Sequence, residues 1–321
     1  MGAPHPSIGF VTQPADHRHG HLVPGDAALA DTRHGVRATW ISLAGLSATA
    51  LVQLAIVTVS GSVALLADTI HNFTDALTAV PLLIAFRLGR RPPTRRYPYG
   101  LHRAEDLAGV TIVVMILASA VVAGMEALDR LFHPQELDRV GLVLAAGIVG
   151  FLGNEAVALY RIRVGRGIGS AALVADGLHA RTDGLTSLGV VVSAVATLAG
   201  VPRADPVVGL AITAVIALTL VRAARAVIHR ILDGTDEETI ALIEEVATAV
   251  PGVEHVTDAR ARWTGHRLRA EISIDVDPGI SVEQGHDIAE LVRAALLTEV
   301  ARLDDASVHV DPHEHASHDP P

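Results

Sequence analysis

Two stretches of the chain carry the same ionisable residues at the same spacing. Residues 61–78 read GSVALLADTIHNFTDALT and residues 169–186 read GSAALVADGLHARTDGLT, with 11 identities in 18 aligned positions. The shared polar set is Asp68, His71 and Asp75 in one copy and Asp176, His179 and Asp183 in the other. Spacings of three and four residues put each trio on one face of a helix. His71, Asp75, His179 and Asp183 supply two imidazole nitrogens and two carboxylate oxygens, a set that suits the tetrahedral preference of Zn²⁺. Mg²⁺ and Ca²⁺ favour larger all-oxygen shells and fit poorly, whereas Co²⁺, Cd²⁺, Fe²⁺ and Ni²⁺ accept related ligands. Imidazole binds metal only when neutral and takes up a proton when the metal leaves, so such a site exchanges metal against H⁺. Asp68 and Asp176 lie one turn before the histidines and read as carboxylates that cap, relay protons or hydrogen-bond the ligands rather than bind the ion.

The elements that hold these residues are membrane spans. The chain has 321 residues, 50% of them hydrophobic but only 3% aromatic, so its apolar mass is Ala, Val, Leu and Ile, which favours helices in lipid. Apolar stretches near 38–60, 62–86, 107–128, 140–160, 170–200 and 206–228 are each close to the ~20 residues that cross a bilayer as a helix. The two motif copies open the second and fifth stretches, as in an internally duplicated transporter. An aspartate at mid-bilayer costs ~2.5–3.5 kcal/mol on insertion scales, and a divalent cation compensates several at once. The competing interpretation is a set of buried His–Asp hydrogen bonds that stitch the spans together without metal, which has no need of duplicated charged pairs at lipid depth. The chain has no cysteine and no lysine, so thiolate sites and disulfides are excluded and the fixed positive side chains are all arginine.

Arginine placement sets the orientation. Arg33 and Arg37 precede the first span, six arginines from Arg87 to Arg103 follow the second, Arg161, Arg163 and Arg166 join the fourth to the fifth, and Arg222, Arg225 and Arg230 end the sixth. The opposite loops carry Arg130, Arg139 and Arg203, diluted by Glu136, Asp138 and Asp205, so both termini are expected in the cytoplasm. Beyond Asp233-Gly234 the pattern becomes that of a soluble α+β unit: helix over 236–250, strands over 254–263 and 267–277, helix over 281–300 and a last strand over 305–311. The order αββαβ suits two helices on one face of a three-stranded sheet. Residues 230–321 hold 20 acids against 7 arginines, which excludes a nucleic-acid partner. The expected organisation is a histidine-containing disordered tail over 1–35, a six-helix transmembrane domain over 36–230, the cytoplasmic unit over 231–312 and a histidine-rich tail over 313–321.

The duplicated LLADTIHNFTD and LVADGLHARTD, the YPYGLHRAEDLAG loop at 97–109, and six spans followed by an αββαβ tail resemble the cation diffusion facilitator family over about residues 36–312. The resemblance implies a homodimer in a cell (inner or plasma) membrane whose protomers each export metal from the cytosol, driven by proton entry. Histidine in both motifs, at His71 and His179, resembles the zinc-preferring members. The family's tail resembles a metallochaperone, ferredoxin-like fold that binds regulatory metal at the dimer contact. His286, His309 and Asp311 fall where that pattern expects ligands, while two other expected histidine positions are Thr257 and Ser273. Some members place a further site in the loop after span two through a Gly-His-Gly-Lys motif. This chain reads Gly100-Leu101-His102-Arg103, which displaces the histidine and leaves His102 an interfacial imidazole beside Arg103 and Glu105.

Asn154 and Glu155 are polar residues of the fourth span that face either the cavity or a neighbouring helix. His17, His19 and His21, with His313, His315 and His318, read as loose metal capture or as plain polar tails. Two other classes compete with a transporter. An intramembrane metalloenzyme needs an open coordination position and a separate general base, as in His-Glu-x-x-His, and no such motif occurs. A sensor needs an output domain beyond the tail, and none is expected after the last strand.

Overall fold

The computed structural model describes residues 26–60, 79–132, 140–200 and 204–312. Among the described residues six helices come first: α1 (Asp26–Ser60), α2 (Ala79–Gly89), α3 (Ala104–Phe132), α4 (Val140–Ile168), α5 (Ala171–Leu198) and α6 (Ala204–Ile231). Within α1, α3, α4 and α6, the segments Ala30–Ile56, Ala104–Asp129, Val140–Ile168 and Val207–Ile231 are long and apolar enough to cross a membrane. Helix α5 matches them in length but carries Asp176, His179, Arg181 and Asp183 in its first half. The chain is a multi-span α-helical membrane protein with a C-terminal α+β unit. Two boundaries differ from expectation. Helix α1 starts at Asp26, so residues 26–35 are helical rather than a disordered tail, and the apolar span within it opens at Ala30. Helix α4 runs on past residue 160 to Ile168, which takes Arg161 out of the loop and into a helix where it is fully buried.

Among the described residues helices α4 and α5 share the most extensive contact in the membrane domain, an antiparallel hairpin joined at Gly169 and Ser170. Gly169 adopts φ +73°, a left-handed cap that a side chain disfavours, and the Ser170 amide returns to the Gly165 carbonyl at 2.8 Å. Small residues let the backbones approach as lipid-buried helices require. A Cβ on Gly177 would stand 3.0 Å from the Cβ of Arg161, and one on Gly184 would stand 3.3 Å from that of Asn154.

The α+β unit contains α7 (Glu237–Thr248), β1 (His255–Thr264), β2 (Arg267–Val276), α8 (Val282–Glu299) and β3 (Leu303–Pro312). The sheet order is β1-β2-β3, antiparallel between β1 and β2 and parallel between β2 and β3, so α8 is the crossover that parallel pairing demands. Period-two alternation turns Leu268, Ala270, Ile272 and Ile274 toward Ile243, Val292 and Leu296 of the two helices. Ser281 starts α8 with a capping box: its hydroxyl accepts from the Gln284 amide at 3.2 Å while the Gln284 side chain accepts from the Ser281 amide at 2.8 Å.

The tip of the β1–β2 hairpin is the joint between the two units. Gly265 has φ +62°, and a Cβ there would come 2.8 Å from the His102 carbonyl oxygen, so the turn accepts only glycine on both counts. Its amide donates to Asp106 of α3 at 3.3 Å, and its carbonyl accepts from Arg230 of α6 at 3.0 Å. The next residue, His266, is buried between Glu105 of α3 (2.7 Å) and Thr32 of α1 (3.1 Å), with Phe86 of α2 edge-on to its ring. Glu105 also accepts a short hydrogen bond from Ser170 at the start of α5. The tip is thereby hydrogen-bonded to α1, α3 and α6, packs its imidazole against Phe86 of α2, and reaches the start of α5 through Glu105, so that its buried polar groups are satisfied.

Candidate metal centre

Helix α5 presents Asp176, His179 and Asp183 on one face, and all three are buried. His179 Nδ1 and Asp183 Oδ1 are 3.9 Å apart, with side chains 1% and 5% exposed. That separation is too long for a hydrogen bond. The companion residues His71 and Asp75, with Asp68, lie outside the described residues. Among the described residues no three His, Asp or Glu side chains gather closely enough to hold an ion.

Asp176 has a partner that the sequence did not reveal. Arg161 of α4 places Nη1 3.1 Å from Asp176 Oδ2, with the two side chains 1% and 0% exposed. Arginine reads as loop at the end of an apolar run, but here the carboxylate one turn before His179 neutralises it and lets α4 continue. Asp176 is also close to the end of α5 that abuts the hairpin tip, since Ser170 lies six residues before it. Glu155 is held by Arg181 of α5 in a two-pronged pair at 2.7 and 3.1 Å, and the Asn154 amide donates to the Gly150 carbonyl at 3.1 Å. Both residues join α4 and α5 or their own helix.

His102 lies in the loop between α2 and α3 and packs beneath Gly89 and Gly100. Burial holds its pKa at about 4, and the nearby Arg267 adds to the depression. Its neighbour Arg103 forms an exposed ion pair with Asp233 at the end of α6.

In the cytoplasmic unit His309 Nε2 stands 3.1 Å from Asp311 Oδ1 on β3, with His309 71% exposed. Val308 and Val310 point into the core, so His309 and Asp311 project from the opposite, helix-free face. In the sheet register Asp311 lies beside Asp275, which lies beside His255. His286 is exposed in the first turn of α8, on the helix-covered face. Within one protomer His286 thus stands on the helix side of the sheet, beside Gly285 that packs near Val310, while His309 and Asp311 stand on the other side.

The family model described as the cation efflux transmembrane domain matches residues 39–232, and that of the cation efflux protein cytoplasmic domain matches 235–313. A probable cation efflux system protein of Mycobacterium tuberculosis (strain H37Rv) is 55% identical over 303 residues, covering 94% of this chain and 91% of that protein. The manganese efflux system protein MneS of Bacillus subtilis (strain 168) is 26% identical over 286 residues, covering 88% of this chain and 98% of that protein. Among solved structures, a MamM-CTD variant is 38% identical with a TM-score of 0.24, covering 24% of this chain and 93% of that chain.

Proposed function

The chain belongs to the cation efflux family, the metal-exporting membrane transporters that its duplicated motif resembles, and from that premise we propose that its cargo is Zn²⁺, exchanged for protons. It is a transporter of metal cations and not an enzyme. The ligands are His71, Asp75, His179 and Asp183, two from each copy of the internal repeat. One observation carries this reading: His179 and Asp183 are both buried among the membrane-domain helices and stand 3.9 Å apart. Two ligands of a tetrahedral zinc ion with bonds of ~2.0–2.1 Å stand ~3.3–3.4 Å from each other, so a small rotamer change suffices to bring this pair onto one ion.

The chemistry of exchange follows from the donor set. Neutral imidazole and ionised carboxylate receive the ion on the cytoplasmic side, and protonation of the same imidazoles on the far side expels it. Alternating access carries the site between the two sides, with both termini cytoplasmic in a cell membrane and two copies of the chain associating through both domains. The Arg161–Asp176 pair holds α5 against α4 one turn from His179, so that the site moves as part of a rigid hairpin. His309 and Asp311 face outward from the sheet, where a regulatory ion bridging to a second copy has access.

Transport into proteoliposomes tests the reading, with Zn²⁺, Mn²⁺, Co²⁺, Cd²⁺, Fe²⁺ and Ni²⁺ supplied separately under an imposed pH gradient. Mn²⁺ is included because one relative is a manganese efflux protein. Zn²⁺ uptake is expected to lead and to collapse to the protein-free background in Asp75→Ala and His179→Ala. Uptake by these variants equal to wild type overturns the site, uptake indifferent to the pH gradient overturns the exchange, and a lead by another ion overturns the choice of cargo.

A further inference from the structure

A cleft of about 850 Å³ opens where α5 begins, α6 ends and the cytoplasmic unit meets them. Its floor is apolar, with Val174 and Leu178 of α5 facing the small residues of α6, and its rim carries Arg166, Arg225, Arg230 and Arg302. Asp236 is the one carboxylate among the lining residues, so the rim is net positive. We propose that this cleft binds one anionic phospholipid of the cytoplasmic leaflet, the phosphate on the arginine rim and the acyl chains along the α5–α6 floor.

The chemistry discriminates among occupants. A divalent cation on its way to His179 is repelled by four arginines, so the cleft is not the cargo's approach. A nucleotide base would need an aromatic face, and Trp263 is buried with the Arg230 guanidinium stacked 4.0 Å from its ring centre. A free phosphate would use the rim but leave the apolar floor uncovered, whereas a diacyl lipid covers both. Exposed Ile228 and Leu232 at the end of α6 continue the apolar surface beside the rim, at the level where arginines reach up to headgroups.

Arg302 gives the site a role beyond adhesion. This residue precedes β3 and takes a left-handed backbone, φ 64°, which costs a non-glycine residue strain. Its guanidinium reaches across to the last carbonyls of α4, donating to Arg166 at 3.2 Å and Gly167 at 2.9 Å. The cytoplasmic unit thus supplies one wall of a cleft whose other walls are membrane helices. A headgroup seated there ties the sheet to the α4–α5 turn, and anionic lipid content thereby sets how firmly the two units are held together.

The inference rests on the membrane orientation proposed above, and its test does not depend on metal. Native mass spectrometry of the delipidated full chain in detergent, titrated separately with phosphatidylglycerol, phosphatidylcholine and inorganic phosphate, reads the bound species. One phosphatidylglycerol is expected to bind at least tenfold more tightly than phosphatidylcholine, with thermal stabilisation. Inorganic phosphate in excess is expected not to displace it. Arg225→Gln, an exposed change that leaves the α4 cap intact, is expected to weaken binding several-fold, and Arg225→Gln/Arg302→Gln to abolish the preference. Arg163→Gln, exposed on α4 outside the cleft, is expected to bind as wild type. Equal binding of the two lipids, including the case in which a second copy of the chain covers the cleft, overturns the proposal. So do displacement by phosphate alone and an unchanged preference in the Arg225 variants.

Discussion

Two buried His–carboxylate pairs in this molecule have the same composition and different spacing. At the joint, His266 and Glu105 are 2.7 Å apart, with side chains 7% and 5% exposed. In α5, His179 and Asp183 are 3.9 Å apart and buried as deeply. The first pair is a hydrogen bond completed on its other sides by Thr32 and Ser170, and so it is satisfied within the protein. The second stands too far apart to be one. Burial and residue type therefore do not tell the two pairs apart; the distance within each pair does.

The comparison can be broken in five ways. The largest effect is expected at the pair that supports α5. Arg161→Ala leaves Asp176 as a buried charge without its arginine and should cost about 3–5 kcal/mol in unfolding of the detergent-solubilised chain. A loss under about 1 kcal/mol would mean that the pair does not organise the hairpin. Next, Zn²⁺ at about 100 times its dissociation constant should stabilise the wild type by ~2.7 kcal/mol in thermal melts. It should leave Asp183→Ala unmoved and protect Glu105→Gln as well as wild type. Protection lost in Glu105→Gln instead would exchange the roles assigned to the two pairs.

Glu105→Ala removes the partner of both His266 and Ser170, and about 1–3 kcal/mol of stability should go with it, read as a lower melting temperature. Fourth comes pH. Burial keeps His102 neutral with a pKa of about 4, against 6.5 for the free side chain. The unfolded chain takes up a proton there that the folded chain refuses. The contribution is complete above pH 6.5 and is lost as pH falls toward 4. His102→Gln should flatten that part of the stability profile in chemical unfolding run across the range. The smallest effect is expected at the exposed Arg103–Asp233 pair, where Arg103→Ala should cost only ~0.2–1 kcal/mol, less in high salt.

The helical spans among the described residues, the αββαβ order and the shared face of Asp176, His179 and Asp183 on α5 were legible because each depends on a local period: runs of apolar residues, alternation, or spacing of three and four. What was missed depends on partners far apart in sequence. Arg161 looked like loop because its carboxylate is on the next helix, and residues 26–35 looked unstructured because Thr32 finds His266 only after 234 positions. His266 and Glu105, 161 residues apart, carry no pattern that joins them. That His309 stands on the sheet face away from the core was legible in principle, since the valines on either side of it belong to the core.

The hairpin tip also acts as a fulcrum. Strand β2 runs ten residues from Arg267 to Val276, about 30 Å at ~3.3 Å per residue, and it is the central strand of the sheet. A tilt of about 5° imposed by the membrane helices at Gly265 swings the far end through about 2.6 Å over that length. His309 and Asp311 ride on that end, so a helix movement too slight to notice at the bilayer arrives at the distal edge as a displacement the size of a hydrogen bond.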